Sequence, residues 1–226
     1  MKCQTKDTLT VYTVRYRMKS EQSTAIVRTE GRMPVDNRER ILETALDLFY
    51  ARGYDAVGVQ EIAEKSGVTK PTLYYYFKSK YGLLEQLLES RGEPFLKDLR
   101  QACVYRGDLK ETLCTAVGAV SDFAGRDPKF AVLLVALFYS ARDNESYRAV
   151  RPMMLRLQKD VESIFHAAAS ELGNMHGRQR QFSLGFIGLV ILYLVMKYET
   201  GGRECIDISG DEIEALVHQF MHGIYS

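Results

Sequence analysis

Between Ser66 and Lys80 the chain reads SGVTKPTLYYYFKSK, three tyrosines and a phenylalanine in succession beside three lysines and no acid. Neighbouring residues on a helix point about 100° apart, so no single buried face can hold all four rings. Leu73 and Phe77, four residues apart, share a face and form the inward pair. Gly67-Val68-Thr69 allows only a tight turn before this helix. Thr69 suits its N-cap, and Pro71 is tolerated in the first turn because its missing amide would be unpaired there anyway. Val59 to Ser66 reads as a short preceding helix burying Val59, Ile62 and Ala63. Two short helices about a glycine-containing turn form the unit that lays its second helix in a DNA major groove. Lys70, Thr72, Tyr74 and Tyr75 then face outward, where hydroxyls reach phosphates and rings lie against thymine methyls or sugars. Lys78 and Lys80, just past the helix, suit phosphate contacts. For Tyr76 packing is the better reading, and packing of the whole aromatic cluster is the alternative for the stretch.

Charge distribution says more here than the net charge of +1. Residues 1–32 carry 7 basic and 3 acidic groups, residues 36–82 carry 7 of each, and residues 85–226 carry 16 basic and 19 acidic. Every acid of the middle segment lies at or before Glu64, leaving Lys65, Lys70, Lys78 and Lys80 as a local cationic patch. Residues 1–32 read as a flexible basic extension or as sequence upstream of the native start at Met33. Asp36 caps the first helix, with Glu39 as its capping-box partner, and Ile41, Leu42, Ala45, Leu48 and Phe49 form its apolar face up to Gly53. Ser79 caps a fourth helix with Leu83, Leu84, Leu87 and Leu88 on one face, which Gly92 and Pro94 are expected to interrupt.

These residues resemble the tetracycline-repressor (TetR) family of bacterial regulators over about Asp36 to Leu88. The pattern lies in A-L-x-L-F-x-x-x-G-Y, then I-A-x-x-x-G-V, then L-Y-x-Y-F-x-x-K. The resemblance places base- and phosphate-facing positions on Lys70, Pro71, Thr72, Tyr74 and Tyr75 and a phosphate-binding lysine on Lys80; with Thr69 and Lys78 these make up the expected DNA-binding set. Val57-Gly58 departs from the family's Thr or Ser at the start of the second helix, so a weaker phosphate contact is expected there. The implied fold is all-α, with about nine helices: a helix-turn-helix domain over 33–80 and a helical ligand-binding and dimerisation domain over 81–226. The implied function is a homodimeric repressor released from a palindromic operator by a small-molecule effector, in the cytoplasm, without catalysis.

In the C-terminal part, periodicity and Gly, Pro or Asn boundaries predict helices over 108–124, 128–142, 146–172, 177–198 and 211–225. Phe123, Phe130, Leu134, Phe138, Tyr139, Met153, Met154, Leu157 and Phe165 offer aromatic and thioether surface for an apolar or aromatic effector, although core packing explains each equally well. Phe182, Gly185, Phe186, Leu189, Leu192, Tyr193 and Met196, with Phe220, form an apolar surface broad enough to need partners on nearly all sides, hence a dimer interface. No uninterrupted apolar run reaches membrane-spanning length, and no membrane partner is expected. His218 and His222 stand four apart, but no nearby cysteine or H-E-x-x-H arrangement accompanies them, so no metal and no cofactor is expected. Cys3, Cys103, Cys114 and Cys205 form no C-x-x-C pair. No Walker loop, G-x-G-x-x-G or G-x-S-x-G motif is present, which disfavours an enzyme. The second reading is a helical ligand-binding or interaction scaffold that no longer binds DNA.

Overall fold

The structure, a computed structural model, describes residues 36–172, 175–201 and 206–223, and the expected basic extension 1–32 lies outside them. Among the described residues there are nine helices and no strand: α1 (Asn37–Arg52), α2 (Val59–Lys65), α3 (Lys70–Phe77), α4 (Lys80–Ala102), α5 (Leu109–Arg126), α6 (Pro128–Phe138), α7 (Glu145–Ala167), α8 (Gln179–Thr200) and α9 (Gly210–His222).

Side-chain caps explain most of the starts. Asp36, Thr69, Ser79, Asp108, Asp127, Asn144 and Ser209 each accept from a backbone amide of the first turn, satisfying a donor that has no partner within the helix. The expected capping box at α1 is not made: Asp36 accepts from the Arg38 amide, and Glu39 reaches Arg91 at 3.6 Å instead. A full capping box does form at α9, between Ser209 and Glu212. Gly67 turns the chain between α2 and α3 at φ +65, a conformation in which a Cβ would be strained. Lys78 adopts φ 65 between α3 and α4 although it is not glycine.

The α4 helix runs unbroken through Gly92 and Pro94, contrary to the expected interruption. Its buried residues, Leu83, Leu84, Leu87, Leu88, Phe95, Leu96 and Leu99, continue past the proline on one face, so tertiary burial outweighs one missing backbone hydrogen bond. Pro94 itself lies on the exposed side. Gly92 is there because α7 approaches closely: an added Cβ would lie 2.7 Å from the Met153 sulfur. The α4 helix packs with α1 and α3 and also with α5 and α7, so a single contiguous core runs from the helix-turn-helix head into the C-terminal helices.

Other boundaries differ by local chemistry. The α6 helix stops at Phe138 rather than 142 because the Ser140 hydroxyl takes the Leu137 carbonyl at 2.7 Å and Asn144 already caps α7. The α7 helix ends at Ala167 rather than 172, and α9 ends at His222, with Tyr225 outside the described residues. The α8 helix is long and apolar enough to cross a membrane by length and composition, although no uninterrupted apolar run suggested it. Its buried side, Ser183, Phe186, Val190, Leu194 and Tyr198, is built into the core.

Candidate nucleic-acid interface and interior cavity

The α3 helix divides as its 100° spacing requires. Leu73 and Phe77 are 0% and 2% exposed, whereas Tyr75 is 74% exposed and Tyr74 39%. Tyr76 is half-buried against the core, with its ring edge-on to Tyr75 at 5.3 Å. Thr69, Lys70 and Pro71 are exposed and Thr72 is partly so. The Lys70 ammonium lies 5.9 Å from the Tyr74 ring and that of Lys78 lies 6.0 Å from the Tyr75 ring, which keeps both cations beside the outward phenols. The head's carboxylates are engaged elsewhere: Glu61 with Arg52 and Lys65, Glu64 with Gln60, and Asp55 with Asn144. Hydrogen bonding from Lys65 is the leading reason that the Glu61 carboxyl is held below its usual range.

Lys80 is placed differently from the rest of the expected set. Its ammonium donates to the carbonyls of Tyr54 at 2.9 Å and Val57 at 3.0 Å and lies 4.1 Å from the Tyr54 ring centre. Partial burial lowers its pKa, opposed by Asp55 and Glu145. Lys80 thus ties the α1–α2 turn, just before the Gly58 cap of α2, to the start of α4. Gly58 makes no side-chain cap, in keeping with the missing hydroxyl.

Tyr54, the last residue of the A-L-x-L-F-x-x-x-G-Y pattern, is 4% exposed and donates its hydroxyl to Glu145 at 3.0 Å, a tie that the pattern itself does not foretell. Burial foremost, then Glu145, raises its pKa. It belongs to a series of ties between the head and the C-terminal helices. Arg91 joins Glu39 and Glu43 of α1 to Asp127, the α6 cap; Lys129 pairs with Asp47 at 2.5 Å; and the Tyr50 and Tyr198 hydroxyls meet at 2.6 Å. No short-range periodicity marks such pairs, because the partners stand 36 to 148 residues apart.

Below the head lies an apolar cavity of about 60 Å³, walled by Phe95 of α4, Val120 and Phe123 of α5, Leu134 and Val135 of α6, Met154 and Leu157 of α7, and Ile191, Leu194 and Val195 of α8. A second of about 30 Å³ continues from it, sharing Val120, Leu157 and Ile191. Of the nine expected effector contacts, Phe123, Leu134, Met154 and Leu157 are in the wall. Phe130 is fully buried edge-on behind Phe123, and Met153 packs on Gly92. Phe138 stacks with Tyr147, and Phe165 sits in a separate aromatic cluster with Phe182, Phe186 and Phe220. Tyr139, 79% exposed, lies on the surface, because α6 ends one residue before it. The wall residues supplied by α8, Ile191, Leu194 and Val195, were in neither the expected effector set nor the expected interface set; the apolar character of α8 on all sides was the available signal.

The expected interface residues also separate. Leu192 and Met196 are 62% and 55% exposed, and Gly185 is exposed, whereas Phe186 is 3% exposed within the single chain. Phe182, Leu189, Tyr193 and Phe220 are half-buried against the core. Leu184, at 48%, extends the exposed apolar side of α8. Tyr193 donates to Glu212 at 3.0 Å, next to the Lys197–Glu212 ion pair. His218 and His222 adjoin with ring centres 4.5 Å apart, and among the described residues no group of three metal-ligating side chains converges. Cys103 is buried, and burial pushes its thiol up to about 12.

Residues 41–87 match the profile of bacterial regulatory proteins of the tetR family. The HTH-type transcriptional activator FasR of Mycolicibacterium smegmatis is 27% identical over 73% of this chain and 74% of its own length. The HTH-type transcriptional regulator SrpR of Pseudomonas putida is 36% identical, over only 28% of this chain and 30% of its own length. In fold, the chain is similar to the transcriptional regulator FadR of Bacillus subtilis, solved in complex with stearoyl-CoA, with a TM-score of 0.67 at 18% identity over 83% of this chain and 99% of that one.

Proposed function

We propose that this chain is a transcriptional regulator of the tetR type rather than an enzyme, a homodimer that reads a palindromic operator through α3 and is released from it by an apolar effector. One observation carries the DNA-reading part: Tyr74 and Tyr75 face outward with Lys70 and Lys78 on a helix whose opposite face, Leu73 and Phe77, anchors it in the head's core. Thr69, Pro71 and Thr72 complete this surface. Lys80 contributes by ordering the α1–α2 turn with two of its three donors, leaving the third for a phosphate.

The dimer reading rests on α8, whose exposed Leu184, Leu192 and Met196 form an apolar strip that a second copy would cover. The cavity supports an apolar effector, since its wall is almost entirely hydrocarbon, and the stearoyl-CoA bound to the FadR neighbour makes a fatty acyl chain the first to try. At about 60 Å³ the space is well below the roughly 300–1,000 Å³ of ordinary ligand pockets. Binding therefore requires α4 to α8 to part, and an effector that favours the parted arrangement weakens DNA binding by its difference in affinity for the two states. FasR is named an activator, so a reporter assay on the target promoter must decide the sign of regulation.

Selection of bound duplexes from a random library tests the reading. Enrichment of a palindrome with half-sites about one helical turn apart is the expected result. A folded, dimeric protein that enriches nothing would favour the scaffold reading instead. Stearoyl-CoA titrated into the protein–operator complex should release the DNA.

A further inference from the structure

We propose that the paired hydroxyls of Tyr50 and Tyr198 are the positioning contact through which the interior cavity sets the orientation of the DNA-reading head; the inference rests on the effector reading above. Tyr198 is 2% exposed and lies on α8 three residues past Val195 and four past Leu194, both in the cavity wall. That spacing puts the three on one side of the helix, one turn apart. Its hydroxyl meets that of Tyr50 at 2.6 Å, and Tyr50 adjoins Phe49 in the core that α1 shares with α2 and α3. A displacement of α8 by anything occupying the cavity is therefore delivered within one turn to α1.

The other ties from the C-terminal helices to the head are less suited to this. Lys129–Asp47 and the Glu39 and Glu43 arms of Arg91 are formed by half-exposed carboxylates, where salt weakens the attraction. Glu145, which holds Tyr54, stands nine residues before the first α7 residue of the cavity wall. The tyrosine pair is uncharged and part-buried, and Tyr198 stands three residues from the wall; Lys129, two residues from Ala131 of the wall, reaches the head only through the exposed Asp47 carboxylate. Coupling that runs through it is insensitive to ionic strength, and coupling through the ion pairs fades as salt rises.

The test fills the cavity without a ligand. Val195→Phe is made in the wild-type chain and in Tyr50→Phe, and operator affinity is measured at low and high salt. In the wild-type background Val195→Phe should weaken operator binding by a factor in the range of about 5 to 150, the usual span of coupling between sites. In the Tyr50→Phe background the same change should shift affinity less than about twofold, with the wild-type ratio unchanged by salt. An equal shift in both backgrounds, or no shift from a Val195→Phe protein that melts as the wild type does, overturns the proposal. Should Val195→Phe not fold, Val195→Leu takes its place. Should no operator be recovered, hydrogen exchange of α1 amides in the full chain is read with the same four proteins. Calorimetry with stearoyl-CoA separates the two ideas: absence of binding defeats the acyl-effector reading and leaves the cavity-filling result to judge the tyrosine pair.

Discussion

Lys80 combines a structural tie with a proposed phosphate contact. Removing its ammonium takes a donor from the Tyr54 and Val57 carbonyls, leaving Tyr54 only the Val57 amide at 3.3 Å, and leaves the α1–α2 turn without its tie to α4. Lys80→Met should destabilise the protein by about 1–3 kcal/mol in denaturant titration, the range for a part-buried charged hydrogen bond. It should also lower the slope of log affinity against log salt by about one charge if the third donor meets a phosphate. Tyr75, at 74% exposure, has no comparable structural duty. Tyr75→Ala should leave stability within about 0.5 kcal/mol while weakening operator binding, and unchanged binding would remove Tyr75 from the interface.

At the scale of helices, two positions set the behaviour of α4 and α9. Pro94 deprives the Ser90 carbonyl of its helical donor, so Pro94→Ala should stabilise the chain by about 1–3 kcal/mol, up to the usual cost of an interior proline. If the missing bond lets α4 tilt, the same variant should also reduce the effector's influence on DNA affinity, and undiminished influence would eliminate that hinge. At α9, Glu212 is held down at about 2, chiefly by the Lys197 ammonium and next by the Ser209 amide. A carboxyl whose pKa is depressed by folding stabilises the folded state above its unfolded value near 4.5, and that contribution disappears as pH falls toward 2. Glu212→Gln should therefore melt below the wild type at pH 7, and the gap should close between about pH 4.5 and 2. A gap that persists in acid would assign the loss to the capping hydrogen bonds instead.

For the whole molecule, the decisive surface is the open side of α8. A dimer would bury Leu184, Leu192 and Met196, which otherwise remain exposed on the protomer. Leu192→Glu should convert a dimer to a folded monomer in sedimentation equilibrium. Because two linked heads bind a palindrome far more tightly than one, operator affinity should fall by roughly 10²–10⁴-fold. A wild-type chain that sediments as a monomer would require another cover for this strip.

What could be read from local pattern was what local physics controls. Caps at Asp36, Thr69 and Ser79, the turn at Gly67, and the inward Leu73–Phe77 pair follow from interactions spanning four residues or fewer, so the all-α class, the helix-turn-helix and the outward tyrosines were legible in the chain itself. The second part of the expectation turned on contacts that the chain makes with distant segments. Continuity of α4 through Pro94, the division of α8 between cavity wall and open face, the surface position of Tyr139, and the ties of Lys80 to Tyr54 and of Tyr50 to Tyr198 were decided by tertiary packing. An apolar residue has the same sequence signature whether it faces its own core, an empty space or another molecule, because hydrophobic burial has no direction. Only the folded arrangement of α4 to α8 separates those three fates.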